Sequence, residues 1–396
     1  MNTQSASTPA RRPPRQVSWN DAGVRSVAYQ ALAVGIVALV VWFLVSNTLH
    51  NLAARNITTG FGFLWREAGF AIGETLIDYG PANTYGRAIA VGLLNTMRVA
   101  LIALVLATTL GILVGIGRLS KNWLISRLAS IYVEVMRNVP LLIQLFFWYA
   151  VITENMPAPR QAKNPLPGVF ISNRGLKLPA LQGDSLDWLL GGLGLAIIAV
   201  IALHRWSARR QEATGKAFPL GRAALGLIIG LPMIGWLASG TPLALDMPVL
   251  KGFNFQGGLT MTPEFTALLV GLTIYTSAFI AEVVRSGIQA IDHGQTEAAR
   301  SLGLRRGLVL RLVVLPQALR VIIPPMTNQY LNLTKNSSLA VAVGYPDIVS
   351  VINTTLNQTG QAIEGILIIM AAYLTISLSI SIFMNWYNKR IALAGR

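Results

Sequence analysis

The chain has 396 residues, 53% hydrophobic and only 12% charged, where soluble domains carry about 25% charged residues. With a mean hydropathy of +0.54, this composition excludes a soluble protein and marks a polytopic membrane protein. The net charge of +16 does not point to nucleic acid, because no basic stripe with interleaved aromatics occurs and Lys and Arg gather between apolar runs, as in cytoplasmic loops.

In chain order, residues 1–26 are rich in Pro, Ser, Gln and Arg and read as a disordered cytoplasmic tail. Residues 27–46 are the first apolar run, about 20 residues long, enough to span a bilayer as a retained helix. With it, residues 27–87 form an N-terminal helix and a nearly neutral periplasmic segment. Residues 88–117 are a second span, in which Gly111 and Gly115 offer a G-x-x-x-G face for close helix contact. Arg118, Lys121 and Arg127 then mark a cytoplasmic loop. Residues 128–152 are a third span, interrupted by Pro140. The Pro- and Gly-rich residues 153–184 read as a periplasmic loop, followed by a fourth span at 185–203 and a fifth at 223–239. A second Pro/Gly loop leads to a sixth span at 264–284. A seventh lies at 319–343, kinked near Pro324 and Pro325, and an eighth at 362–385. Eight spans place both termini in the cytoplasm. Each clear Lys/Arg excess then falls inside, except the small one in 153–184. The fold class expected is all-α.

Between the sixth and seventh spans lies a polar, basic stretch, residues 286–318. Gly287 is expected to open a short helix carrying Ile288, Ile291, Ala298 and Leu302, with Gly303 as its stop. Residues 304–314 form a second helix expected to end before Pro316. Arg300, Arg305, Arg306 and Arg311 complete a cytoplasmic knob.

Charges inside spans are costly and usually have a role. Glu134 and Arg137 stand at i, i+3, as do Glu282 and Arg285, so each pair shares a helix face and is expected to form an ion pair. Lys335 lies at mid-membrane depth with no carboxylate beside it, open either to a substrate carboxylate or to an interhelical salt bridge with Glu134 or Glu282. Asn95, Thr96 and Arg98 lie in the second span. Cysteine is absent, which removes disulfides and thiolate metal sites. His50, His204 and His293 stand singly, so neither metal nor cofactor is expected. No clustered nucleophile and base suggests an enzyme.

Glu297-Ala298-Ala299, three residues, Gly303, nine residues and Val313-Val314-Leu315-Pro316 resemble the EAA loop of importer-type ABC permeases, with Val313 in the usual Ile place. Y-V-E-V-M-R-N-V-P-L-L-I-Q (132–144), A-E-V-V-R-S-G-I (281–288), L-P-Q-A-L-R (315–320) and L-T-K-N-S-S-L (333–339) are similar to the amino-acid-importer branch, the histidine-glutamine permease family. Residues 63–79 look like a segment that precedes the core in general L-amino-acid permeases. Asn138-Val139 departs from the family's Gly-Thr, and Asn336 from its Asp, which removes a neighbour that could neutralise Lys335.

The resemblance implies a permease core at 88–152 and 263–390, a two-helix insert at 153–262, and ATPase coupling through Gly287, Glu297, Ala298, Ala299, Gly303 and Pro316. Lys335, Asn336, Asn95 and Gln144 are the substrate-path candidates. Gly215-Lys216 lacks the flanking residues of a phosphate-binding loop, so ATP hydrolysis falls to separate ABC ATPase subunits. The other partners implied are a second related permease forming a heterodimer, a periplasmic amino-acid-binding protein and the lipid bilayer of the bacterial inner membrane. The alternatives are an ABC permease for another small solute and an ion-gradient-driven secondary transporter.

Overall fold

The computed structural model describes residues 22–54, 59–181, 185–215, 218–240 and 245–393. Most of the expected tail, residues 1–21, lies outside them. The helices are α1 (Ala22–Ala54), α2 (Tyr85–Arg118), α3 (Trp123–Asn138), α4 (Leu141–Asn155), α5 (Ser185–Thr214), α6 (Leu220–Ala238), α7 (Pro263–Gln289), α8 (His293–Ser301), α9 (Arg306–Val309), α10 (Leu315–Asn336), α11 (Ile348–Thr359) and α12 (Ala362–Leu393). Among the described residues seven helices are long and apolar enough to cross a membrane, and a bent pair, α3 with α4, makes an eighth.

The helix α7 is the axis of the core. Thr262 caps its start by accepting from the Phe265 amide, and Pro263 fills the first turn, where no amide is needed. It buries Leu268, Leu272 and Ile280 against Val99, Ala103 and Ala107 of α2, Leu145 of α4 and Ala318 and Leu333 of α10. The small-residue face of α2 makes this possible. A Cβ on Gly111 would stand 2.5 Å from Ile280, and one on Gly115 2.8 Å from the Ala281 carbonyl. Backbone therefore meets side chain directly, the close approach that helix pairs in lipid depend on. The side chains of α1 are largely exposed, and it stands outside this core.

The third span is interrupted at Pro140 as expected, and α3 and α4 meet there at 106°. Pro140 has no amide to continue the ladder, and the residue before it is forced extended, with Val139 at ψ 124°. Gly287 does not open a helix. It lies in the last turns of α7, where its missing side chain admits Ile322 of α10. Nor does the second helix of the elbow end before Pro316. The helical stretch runs as one 38-residue element, Arg306–Val343, with a π-turn at Leu310–Val314. Pro316 falls near the start of α10, two residues after that π-turn.

The presumed loops around α5 and α6 contain strands: β1 (Lys163–Leu166), β2 (Val169–Ser172), β3 (Gly175–Leu178), β4 (Ala180–Leu181), β5 (Leu245–Asp246), β6 (Val249–Lys251), β7 (Asn254–Gln256) and β8 (Leu259–Met261). The first three join β8 in an antiparallel sheet of order β1-β2-β3-β8. Strand β3 thus pairs with β8 across the insert and ties its two ends together. Pro and Gly suggested loops, but Gly168 (φ +78) and Gly252 (φ +66) sit in two-residue hairpin turns between paired strands. These strands precede α7, so α7 runs from a strand end to the elbow end.

At the strand end, residues 60–84 fold over α11. Phe63, Ala68 and Tyr85 pack on Ile348, Val351 and Ile352. The Tyr85 hydroxyl donates to Gln358 at 2.8 Å, and the Gly60 amide to Glu364 at 2.5 Å.

Candidate functional site: an elbow and a polar helix face

The elbow is built by local signals. Asp292 caps α8 by accepting from the Gly294 amide at 2.8 Å. Gly303 has φ +77, so a left-handed residue ends the helix as expected. Ala299 is buried, while Glu297, Ala298 and Gly303 are exposed. Leu302 is 82% exposed, an apolar side chain at the tip of a basic knob.

Beneath the elbow, Glu282 accepts from Arg285 Nη2 at 2.5 Å, across the i, i+3 spacing. It also pairs with Arg118 at the end of α2, and Arg118 Nε reaches Ser130 of α3 at 3.4 Å. The Arg118 guanidinium thereby joins three helices, α2, α3 and α7. Sequence reasoning took Arg118 for a loop charge, although its place at the end of a span was the available signal. Glu134 and Arg137 are not paired among the described residues. Both are exposed, and the Arg137 guanidinium lies 5.1 Å from the Phe279 ring centre on α7 instead. The aromatic face offers a cation a second partner, and the geometry takes it.

Two of the path candidates are ties rather than surfaces. Gln144 is buried, and its Nε2 donates to the Met136 and Val139 carbonyls at 3.0 Å each. These are carbonyls freed by the break at Pro140. Asn95 is fully buried, and its Nδ2 donates to the Glu74 and Pro346 carbonyls at 2.9 Å each. It fastens α2 to two outer segments. The Arg98 guanidinium is met 3.0 Å away by Glu74 and 4.3 Å away by the Phe265 ring. Thr262 donates to the other Glu74 oxygen. Burial pushes the Glu74 carboxyl above its ordinary range, against the opposing pull of Thr262 and Arg98. This junction borders a recess of about 440 Å³ that also touches Glu264 and Ser350.

Asn336 does line an open surface. With Tyr275, Thr276, Phe279, Gln329 and Asn332 it encloses a recess of about 300 Å³ between α7 and α10. Asn328, Gln329, Asn332 and Asn336 follow helical spacing, and Asn328 and Asn332 are exposed. Lys335 is also exposed, but it borders a different recess of about 360 Å³, with Ser338, Val349, Ile369 and Tyr373. It forms no ion pair among the described residues, and Glu282 is already engaged by two arginines.

Residues 227–393 match the family model of the binding-protein-dependent transport system inner membrane component. The chain is 50% identical over 382 residues to YhdX of Escherichia coli (strain K12), covering 96% of this chain and 97% of that one. It is 48% identical over 377 residues to the general L-amino acid transport system permease protein AapQ of Rhizobium johnstonii, covering 95% and 94%. It is 44% identical over 410 residues to the glutamate/glutamine/aspartate/asparagine transport system permease protein BztB of Rhodobacter capsulatus, covering 95% and 96%. Membership implies ATPase and binding-protein partners and disfavours the ion-gradient carrier. The chain belongs to the amino-acid ABC transporter permeases, the multi-pass transport subunits of binding-protein-dependent systems, which have no catalytic activity of their own.

Proposed function

We propose that this chain lines one side of an amino-acid path, and that residues 286–318 carry force to it from a separate ATPase. The observation behind this reading is the row Asn328, Gln329, Asn332 and Asn336 on a spanning helix, whose amides have no side-chain hydrogen bond among the described residues. Facing lipid, each unsatisfied polar group would cost several kcal/mol, so the row faces water, solute or a second permease. One chain supplies only one wall, which favours a heterodimer with a related permease. The basic elbow supports a cytoplasmic position for itself and for both termini. The strand end then faces the periplasm, where a binding protein delivers the solute. Residues 88–152 and 263–390 form the core, and residues 153–262 an added lobe. The relatives named for general L-amino acids and for glutamate, glutamine, aspartate and asparagine favour a broad amino-acid range. Lys335 and Asn336 remain path candidates. Gly287, Glu297, Ala298, Ala299, Gly303 and Pro316 form or support the ATPase contact.

The test is uptake into proteoliposomes holding the full complex. Amino-acid uptake is expected to require ATP, and the Gly303→Asp chain to reach the membrane but lose the ATPase on purification. Uptake driven by a proton gradient without ATP, or undiminished ATPase association in the variant, overturns the reading.

A further inference from the structure

The recess between α7 and α10 is lined by neutral groups: a phenol, a threonine hydroxyl and three carboxamides. At about 300 Å³ it lies at the lower end of small-molecule sites, a size suited to one free amino acid. A zwitterion needs a cation for its carboxylate, and the lining supplies none. A cation that touches this lining is Arg137. Its guanidinium stands 5.1 Å from the centre of the Phe279 ring, which itself lines the recess. Tyr275 packs on the same ring at 5.0 Å.

Arg137 has no ion pair and no side-chain hydrogen bond among the described residues, although Glu134 lies one turn away. An uncompensated guanidinium in a membrane protein is expensive, and a ring face offsets only part of that cost. Its planar fork of N–H donors matches a carboxylate in two parallel hydrogen bonds.

We infer that Arg137, held on the Phe279 ring, receives the substrate α-carboxylate, while Asn332, Asn336 and Gln329 hydrogen-bond the ammonium group and side chain. This rests on the proposed function and adds a residue and a chemical logic to it. The one charged contact reads the group that all α-amino acids share. The neutral amides leave the side chain loosely read, and a broad substrate range follows.

The test measures binding of radiolabelled glutamine and of its α-methyl ester to the purified permease–ATPase complex without binding protein. The unmodified complex is expected to prefer the free acid by at least about tenfold, the range for a hydrogen bond to a charged group. Arg137→Gln is expected to bind both equally weakly, and Arg137→Lys to keep part of the preference. Equal binding of acid and ester by the unmodified complex overturns the assignment whether or not Arg137→Gln assembles. So does an acid preference that survives Arg137→Gln. No binding of glutamine, glutamate or alanine by the unmodified complex instead sinks the amino-acid path itself.

Discussion

Asp347 begins the turn into α11, and its Oδ1 accepts from the Ser350 amide at 2.8 Å. It is 1% exposed, and burial pushes its carboxyl up to about 7 against the lowering effect of backbone amides at Ser350 and Val349. In the unfolded chain the group titrates near 4. Folding therefore takes up a proton, so the stabilisation is complete below about pH 4 and is lost as pH rises through about 7. The melting temperature is expected to fall between about pH 4 and 7 and to level off above that. Asp347→Asn keeps a capping side chain, and it should flatten that fall and melt higher at the alkaline end. A variant whose melting curve tracks the unmodified chain at every pH would refute this. Glu74, also pushed up by burial, leaves a residual slope in the same direction. Single residues such as Gly303 were legible in the sequence because a left-handed helix stop is a local requirement. Asp347 was not, because its burial is set by partners far along the chain.

At the level of elements, the break between α3 and α4 is what shapes the wall beside α7. Pro140 announced an interruption, but not a turn of 106°, because a proline only removes one amide and restricts its neighbour. The angle is fixed by Gln144, which holds the freed carbonyls, and by the packing of Leu145 beside Gly271. Gln144→Leu leaves those carbonyls without a donor and is expected to cost roughly 1–3 kcal/mol. It should appear as a lowered melting temperature of the detergent-solubilised chain. An unchanged melt would mean the amide is not what holds the bend. The same contrast holds at the elbow. Helix α8 follows from Asp292 and Gly303, whereas the join of Arg118 to Glu282 needs α2 and α7 already side by side.

For the whole molecule, sidedness rests on charge. Since cysteine is absent, single introduced cysteines report it directly. Asn254→Cys on β7 is expected to react with an impermeant maleimide on intact cells, and Ser301→Cys on α8 only after permeabilisation. Reversed labelling would invert the topology. The basic segment 153–184, the one exception to the charge rule, contains strands β1 to β4. There Lys177 is buried and donates to Thr260 at 2.5 Å, and burial lowers its pKa.

By itself the sequence determined the membrane class, the run of spans, the elbow with its glycine stop and the family those motifs mark. Each is written in a single continuous segment, as hydropathy, charge or backbone permission. Tertiary structure alone decided that Gln144 and Asn95 are ties, that Arg137 turns from Glu134 to Phe279, and that two arms 80 residues apart pair as β3 and β8. Those outcomes depend on which distant surfaces come to share one space, and side-chain hydrogen bonds and aromatic contacts form only after packing has set that neighbourhood.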